Sequence, residues 1–237
     1  MRLFLIRYTK IIFCWLQLHR VFDIFSGLFL NAFYLTKLSK FIYQNRNAAL
    51  NDFPVKWNYD ARYPMYKAVL EKEIGDASIN YFEFGVASGQ SFRWFLQQNQ
   101  NPSSKFYGFD TFTGLPEDWG PYKKGAFSTG NKPPEVNDAR AEFHEGLFQQ
   151  TLSQQLKNID ANKRTVVMMD ADLYSATLYV LTTMAPILKK GDLIFFDQFA
   201  VPTHEFRAYF DFTQSFYMKL ELIAAANNFY FVAFKVV

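Results

Sequence analysis

Four carboxylates stand in or just after short apolar runs that lie far apart along the chain. They are Glu83 in Ile79–Phe84, Asp110 closing Lys105–Asp110, Asp170 after Thr165–Met169, and Asp197 after Asp192–Phe196. In open α/β sheets ligands bind beyond the carboxyl ends of the strands, so acids at these positions converge on one crevice. Asp172 and the amide of Gln198 stand beside the last two acids. Together Asp170, Asp172, Asp197 and Gln198 offer an all-oxygen set suited to a hard divalent ion such as Mg²⁺, which keeps several waters. The plainer reading is that Asp172 caps the helix that follows and Asp197 bonds only backbone.

The stretch Tyr81-Phe82-Glu83-Phe84-Gly85-Val86-Ala87-Ser88-Gly89-Gln90-Ser91 supplies the cradle. A buried strand stops at a glycine turn and passes into a helix over residues 90–98. Glycine lets a ligand approach the backbone closely, and the N–H groups opening the helix point into the same space. Asp110 follows Gly89 by the spacing of about 20 at which an acid accepts hydrogen bonds from ribose hydroxyls in doubly wound folds. The turn lacks the G-x-G-x-x-G spacing of a pyrophosphate site. An adenosine-bearing ligand without pyrophosphate fits better, and S-adenosylmethionine is the common one. A nicotinamide-dependent oxidoreductase is the weaker reading for that reason.

The elements that must position these groups follow from the pattern. The chain of 237 residues is 50% hydrophobic, ample for one α/β core. Apolar runs at 79–84, 105–110, 141–144, 165–169 and 192–196 read as parallel strands. They alternate with helices at 62–74, 90–98, 147–157, from about 174 to 190, and 205–215. A closing hairpin, 219–224 with 229–236, turns around Asn227-Asn228. The fold class is therefore doubly wound α/β: a mostly parallel seven-stranded sheet, helices on both faces, and a C-terminal antiparallel hairpin. The irregular stretch 111–137 reads as a binding loop or lid.

A net charge of +3 is too small to imply nucleic acid, and the single Cys14 excludes a disulfide framework or zinc-finger cluster within the chain, compatible with a cytoplasmic setting. Residues 1–52 form an apolar, basic, helical segment, with 53–237 as the domain proper. The longest charge-free run, 24–36, falls short of the ~20 residues of a spanning helix, and no secretory signal is expected because Arg7 and Lys10 break the early apolar region. Two readings stay open: helices packed on the domain or on a partner protomer of a homo-oligomer, and a basic amphipathic segment lying at the inner membrane surface.

Glu83-Phe84-Gly85-Val86-x-x-Gly89, Gly108-Phe109-Asp110-Thr111-Phe112-Thr113-Gly114-Leu115-Pro116-Glu117, Asp170-Ala171-Asp172-Leu173-Tyr174 and Gly191-Asp192-x-x-x-x-Asp197 together resemble the macrocin O-methyltransferase family. These are class I S-adenosylmethionine-dependent methyltransferases acting on hydroxyls of sugars and other secondary metabolites. The first, fourth and fifth strands also resemble catechol O-methyltransferase. The resemblance implies that Glu83, Gly85 and Gly89 line the methionine and ribose end, with Val86, Ser91 and Thr111 as further cofactor contacts. Asp110 would hold the ribose hydroxyls, and Asp170, Asp197 and Gln198 would hold Mg²⁺. Gln198 departs from the family, which usually has a second acid there, and makes the metal site less anionic. For the proton, Asp170 is the first choice of acceptor, with His204 and His144 as alternatives that a structural role explains as well. An inactive, membrane-surface binding module on the same fold is the remaining alternative.

Overall fold

The computed structural model describes residues 2–47 and 56–237. The expected boundary at 52/53, and Pro54 beside it, lie outside the described residues.

Seven strands form one sheet: β1 (Ile79–Phe84), β2 (Lys105–Asp110), β3 (Ala141–Glu145), β4 (Arg164–Met169), β5 (Leu193–Phe196), β6 (Leu220–Ala226) and β7 (Phe231–Val236). Their order is β3-β2-β1-β4-β5-β7-β6, parallel from β3 to β5, with β7 antiparallel to both β5 and β6. The chain reverses direction across the sheet between β1 and β4. That switch point is where such folds leave a crevice.

All six residues of β1 are buried, as a central parallel strand requires. Its side chains alternate between two cores. Tyr81 packs with Phe106, Val166 and Phe195 under α3 (Arg62–Glu73) and α4 (Gln90–Gln98). Phe82 and Phe84 pack with Phe109, Val167, Met169 and Phe196 under α5 (Phe148–Gln155), α6 (Tyr174–Met184) and α7 (Glu205–Phe216). The abundance of phenylalanine, 28 residues, is thereby accounted for in large part: rings from both faces of the sheet pack on rings from the helices, among them Tyr81 of β1 on Phe95 of α4 with centroids 4.7 Å apart.

Two further helices precede this body, α1 (Arg2–Trp15) and α2 (His19–Asn45). Only the end of α2 is fastened. Tyr34 and Leu38 are buried, the Tyr34 hydroxyl donates to Asp211 of α7 at 3.0 Å, and Phe41 inserts among Phe199, Phe206, Tyr209 and Phe234.

Several boundaries differ from expectation by one or more residues, and three of the differences have a local reason. α6 stops at Met184, not near Lys190, because Pro186 cannot donate and clashes with the preceding turn. β7 begins at Phe231 because Asn227, Asn228 and Phe229 all take positive φ, bending the chain through a wider turn. β3 runs one residue further, pairing Glu145 with Asp110.

Candidate active site

The carboxyl ends of β1, β2, β4 and β5 open on a cavity of about 430 Å³, within the range of small-molecule sites. Gly85 and Ala87 form one wall and Asp110 and Thr111 the next. Asp170 and Asp172 line it on the β4 side, with Tyr59 and Gln198 at the β5 side. The loop after β2 closes it: Gly114 to Glu117 and Phe127 face inward, held by Leu115 N–H to the Ala126 carbonyl and Gly125 N–H to the Leu115 carbonyl.

The glycine turn is required by contact and by dihedral angle. Gly85 sits at φ +93° and a Cβ there would fall 1.8 Å from the Asp170 carbonyl oxygen, so only glycine lets β1 and β4 close at this point. Gly89 begins α4 at φ +74°. Asp110 braces the turn. One of its oxygens accepts the Val86 and Ala87 N–H groups, both at 2.8 Å, and the other accepts Phe112 N–H at 2.8 Å. A carboxylate has about four acceptor positions, so one remains for a ligand hydroxyl. The N–H groups that a pyrophosphate would need are already given to this anion.

Among the described residues four acids line the cavity, Asp110, Glu117, Asp170 and Asp172, and no Lys or Arg does. Asp170 is held well above the usual carboxylate range, by burial first and then by Asp197, Asp172, Glu205 and Glu83 around it. Asp172 is raised as well, chiefly by burial, while the neighbouring Gln198 amide favours its charged form. Two like charges this close cannot both ionise without cost, so the pair retains a proton or takes a cation. Asp172 also holds φ +59°, an uncommon backbone state for a residue other than glycine.

Several expected site residues lie elsewhere. Glu83 does not reach the cavity. It is fully buried on the α4 side of the sheet, where it accepts the hydroxyls of Tyr81 and Ser91, and burial pushes it up to about 7. Ser91 is spent on that bond, the Val86 side chain packs into the core, and Thr111 lines the cavity while donating to the Gly114 carbonyl at 2.9 Å. Gly89 stands outside the lining, its Cβ direction blocked by Pro134. His144 stacks on Phe109 with centroids 4.6 Å apart and is not among the lining residues. His204 precedes α7 with its ring edge towards Trp119, its Nδ1 buried without a hydrogen bond.

The expected Mg²⁺ ligands do not share one setting. Asp170 and Gln198 line the cavity, and Asp172 Oδ1 and Gln198 Oε1 are buried acceptors without a hydrogen-bond donor, a shortage that a hard cation or a bound hydroxyl would relieve. Asp197 is the correction. Both its oxygens accept Arg62 Nη1 at 3.0 Å, one also accepts the Tyr66 hydroxyl at 2.7 Å, and the other the Tyr59 hydroxyl at 3.0 Å. A carboxylate already neutralised by a guanidinium and two phenols is a poor metal ligand. Among the described residues no three His, Cys, Asp or Glu side chains are gathered as a metal cage.

Tyr59, Arg62 and Tyr66 therefore belong to the site's support, as does Glu205, whose carboxylate accepts the Gln198 N–H at 3.0 Å and fixes that residue. A signal for them exists in the chain: Tyr59, Tyr63 and Tyr66 recur at helical spacing around one arginine.

Solved structures of similar fold include CalS11, a calicheamicin methyltransferase (TM-score 0.59, 19% identity, 86% of this chain and 91% of that one). The O-methyltransferase NovP matches at TM-score 0.59 and 18% identity over 90% of this chain and 99% of its own. CmcI-D160 with Mg and SAM matches at 0.51 and 14% over 80% and 89%. No curated protein matches the chain. The sheet order and helices are those of the class I methyltransferase fold, and residues 82–199, which carry the turn, the acids and most of the cavity wall, match the model of a family described as a methyltransferase domain.

Proposed function

We propose that the protein is an S-adenosylmethionine-dependent O-methyltransferase acting on a hydroxyl of a small, sugar-like acceptor, as the resemblance to the macrocin O-methyltransferases implies. The observation that carries this reading is the charge of the cavity, four carboxylates and no basic side chain. Such a wall favours a cationic ligand, a sulfonium with its ammonium group, and repels a dinucleotide pyrophosphate. CalS11 is a TDP-rhamnose 3'-O-methyltransferase, which supports a sugar acceptor by analogy of fold alone.

Methyl transfer is an in-line displacement, and the protein's part is to hold the nucleophile against a carbon already activated by sulfonium. In this arrangement the turn at Gly85 and Ala87 carries the methionine end, the remaining acceptor position on Asp110 takes a ribose hydroxyl, and the loop at Gly114–Glu117 excludes water. Asp170 and Asp172 face the acceptor side and take up its proton as a pair. Asp170, Asp172 and Gln198 are the residues that would hold a divalent cation. Such an ion supplies Lewis-acid lowering of a hydroxyl's pKa.

The test is calorimetric titration with S-adenosylmethionine, followed by mass detection of methylated product across nucleotide sugars and simple phenols. Binding and methyl gain on a sugar hydroxyl are expected, with turnover lost in chelator. Binding of a nicotinamide dinucleotide in place of S-adenosylmethionine would overturn the reading.

A further inference from the structure

We propose that the N-terminal arm is a membrane-surface anchor that lies along an anionic lipid leaflet and does not cross it. The arm is α1 together with residues 19–33 of α2. None of α1's residues is buried. At 3.6 residues per turn, Arg2, Arg7 and Lys10 fall on one side of α1, while Phe4, Leu5, Tyr8, Ile11, Ile12 and Trp15 fall on the other. Those six are 50% to 79% exposed. The first part of α2 continues this surface with Ile24, Phe25, Leu28 and Phe29, also exposed. An exposed apolar area of this extent marks an interaction surface.

Charge identifies the occupant. Residues 1–47 carry seven Lys or Arg against one acid, Asp23, whereas the rest of the chain carries 18 against 21. In an arm-to-arm pairing a second copy would bring the same positive charge and meet it with repulsion. An anionic bilayer attracts the arm and leaves the acidic body outside.

Length decides between lying and spanning. α2 has 27 residues and by length and composition could cross a membrane. From Tyr34 onward, however, it is fixed to the body through Tyr34, Leu38 and Phe41, which leaves 15 residues, 19 to 33, ahead of the first fixed one. A spanning helix needs ~20. α1 has 14 residues and three charges inside it. Neither piece reaches across, and an amphipathic helix with a basic face is the form that rests at the headgroup boundary.

The experiment is flotation of the full chain with vesicles of phosphatidylcholine alone and of equimolar phosphatidylcholine and phosphatidylserine. Binding to the anionic vesicles only, reversed by high salt, is expected. Replacing Arg2, Arg7 and Lys10 together by Gln lowers partitioning on the order of 100-fold at about 1 kcal/mol per basic residue. Trp15→Asp also weakens it without unfolding, because that side chain is exposed. Cys14, the single cysteine, falls on the basic side of α1. A fluorophore on it remains open to aqueous iodide in the bound state, and full protection from iodide would mean insertion and overturn the assignment. Equal flotation with neutral vesicles, no flotation at all, or a lipid-free dimer abolished by Trp15→Asp would each overturn it too.

Discussion

Gly85 admits no side chain, since its Cβ would stand 1.8 Å from the Asp170 carbonyl oxygen at φ +93°. Gly85→Ala must part β1 from β4, and strain together with overpacking costs at least about 3 kcal/mol. Urea unfolding would measure it, and cofactor binding falls with it. Glu83 gives a prediction with a sign. Its folded pKa is raised, from 4.5 to about 7, so the native state binds its proton more tightly than the unfolded state. That contribution favours folding at low pH and is lost as pH rises from about 4.5 to about 7, a difference of about 3 kcal/mol. Glu83→Gln, which stays neutral, should flatten the fall in thermal midpoint between pH 5 and pH 7.5; an unchanged slope would refute the shift. If Asp172 helps take up the acceptor's proton, as proposed, Asp172→Asn should lower kcat by roughly 10²- to 10⁴-fold while leaving S-adenosylmethionine affinity nearly intact. Gly85 and Asp110 were legible as site residues because each ends an apolar run. The direction of Glu83 was not: alternation along a strand says that positions 81 and 83 share a face, but not which face lies under the ligand.

Element by element, the short runs were easiest to read. β1 and β2 fall on the expected residues because their apolar stretches end at glycine or aspartate, and α4 does because Gly89 marks its start. α6 is shorter than its apolar pattern suggests because Pro186 ends it. What the chain order could not reveal is the pairing of α3 with the end of β5, made by Arg62 and Asp197 across 135 positions. Both side chains are almost wholly buried, so removing one partner leaves the other uncompensated. Arg62→Met should cost about 3–5 kcal/mol by denaturant unfolding, and the double variant with Asp197→Asn should recover part of the loss. Additive losses would mean that the two do not act as a pair. The loop after β2 was recognisable by length and composition, whereas its inward residues depend on bonds such as Leu115 to Ala126 that join non-neighbouring positions.

At the scale of the whole molecule, the cavity lies between the switch-point strands and the loop above them, so a ligand there ties β1, β2, β4 and the loop together. Binding to the folded chain alone then appears as stability. At a hundredfold excess over its dissociation constant, S-adenosylmethionine should add about 2.7 kcal/mol, a rise of roughly 5–10 °C in the unfolding midpoint for a chain of this size. A nicotinamide dinucleotide should give none, because the Val86 and Ala87 N–H groups are engaged by Asp110 and four carboxylates face the cavity. Gln198→Asp separates the metal from the cofactor. It restores a second acid beside Asp197, which Arg62 already neutralises, and makes the Asp170 side of the cavity more anionic. Magnesium should then saturate turnover at a lower concentration than in the unmodified protein, with the S-adenosylmethionine shift unchanged. If the magnesium dependence of turnover does not move while the cofactor shift persists, Gln198 faces no ion, and proton transfer rests on Asp170 and Asp172 alone.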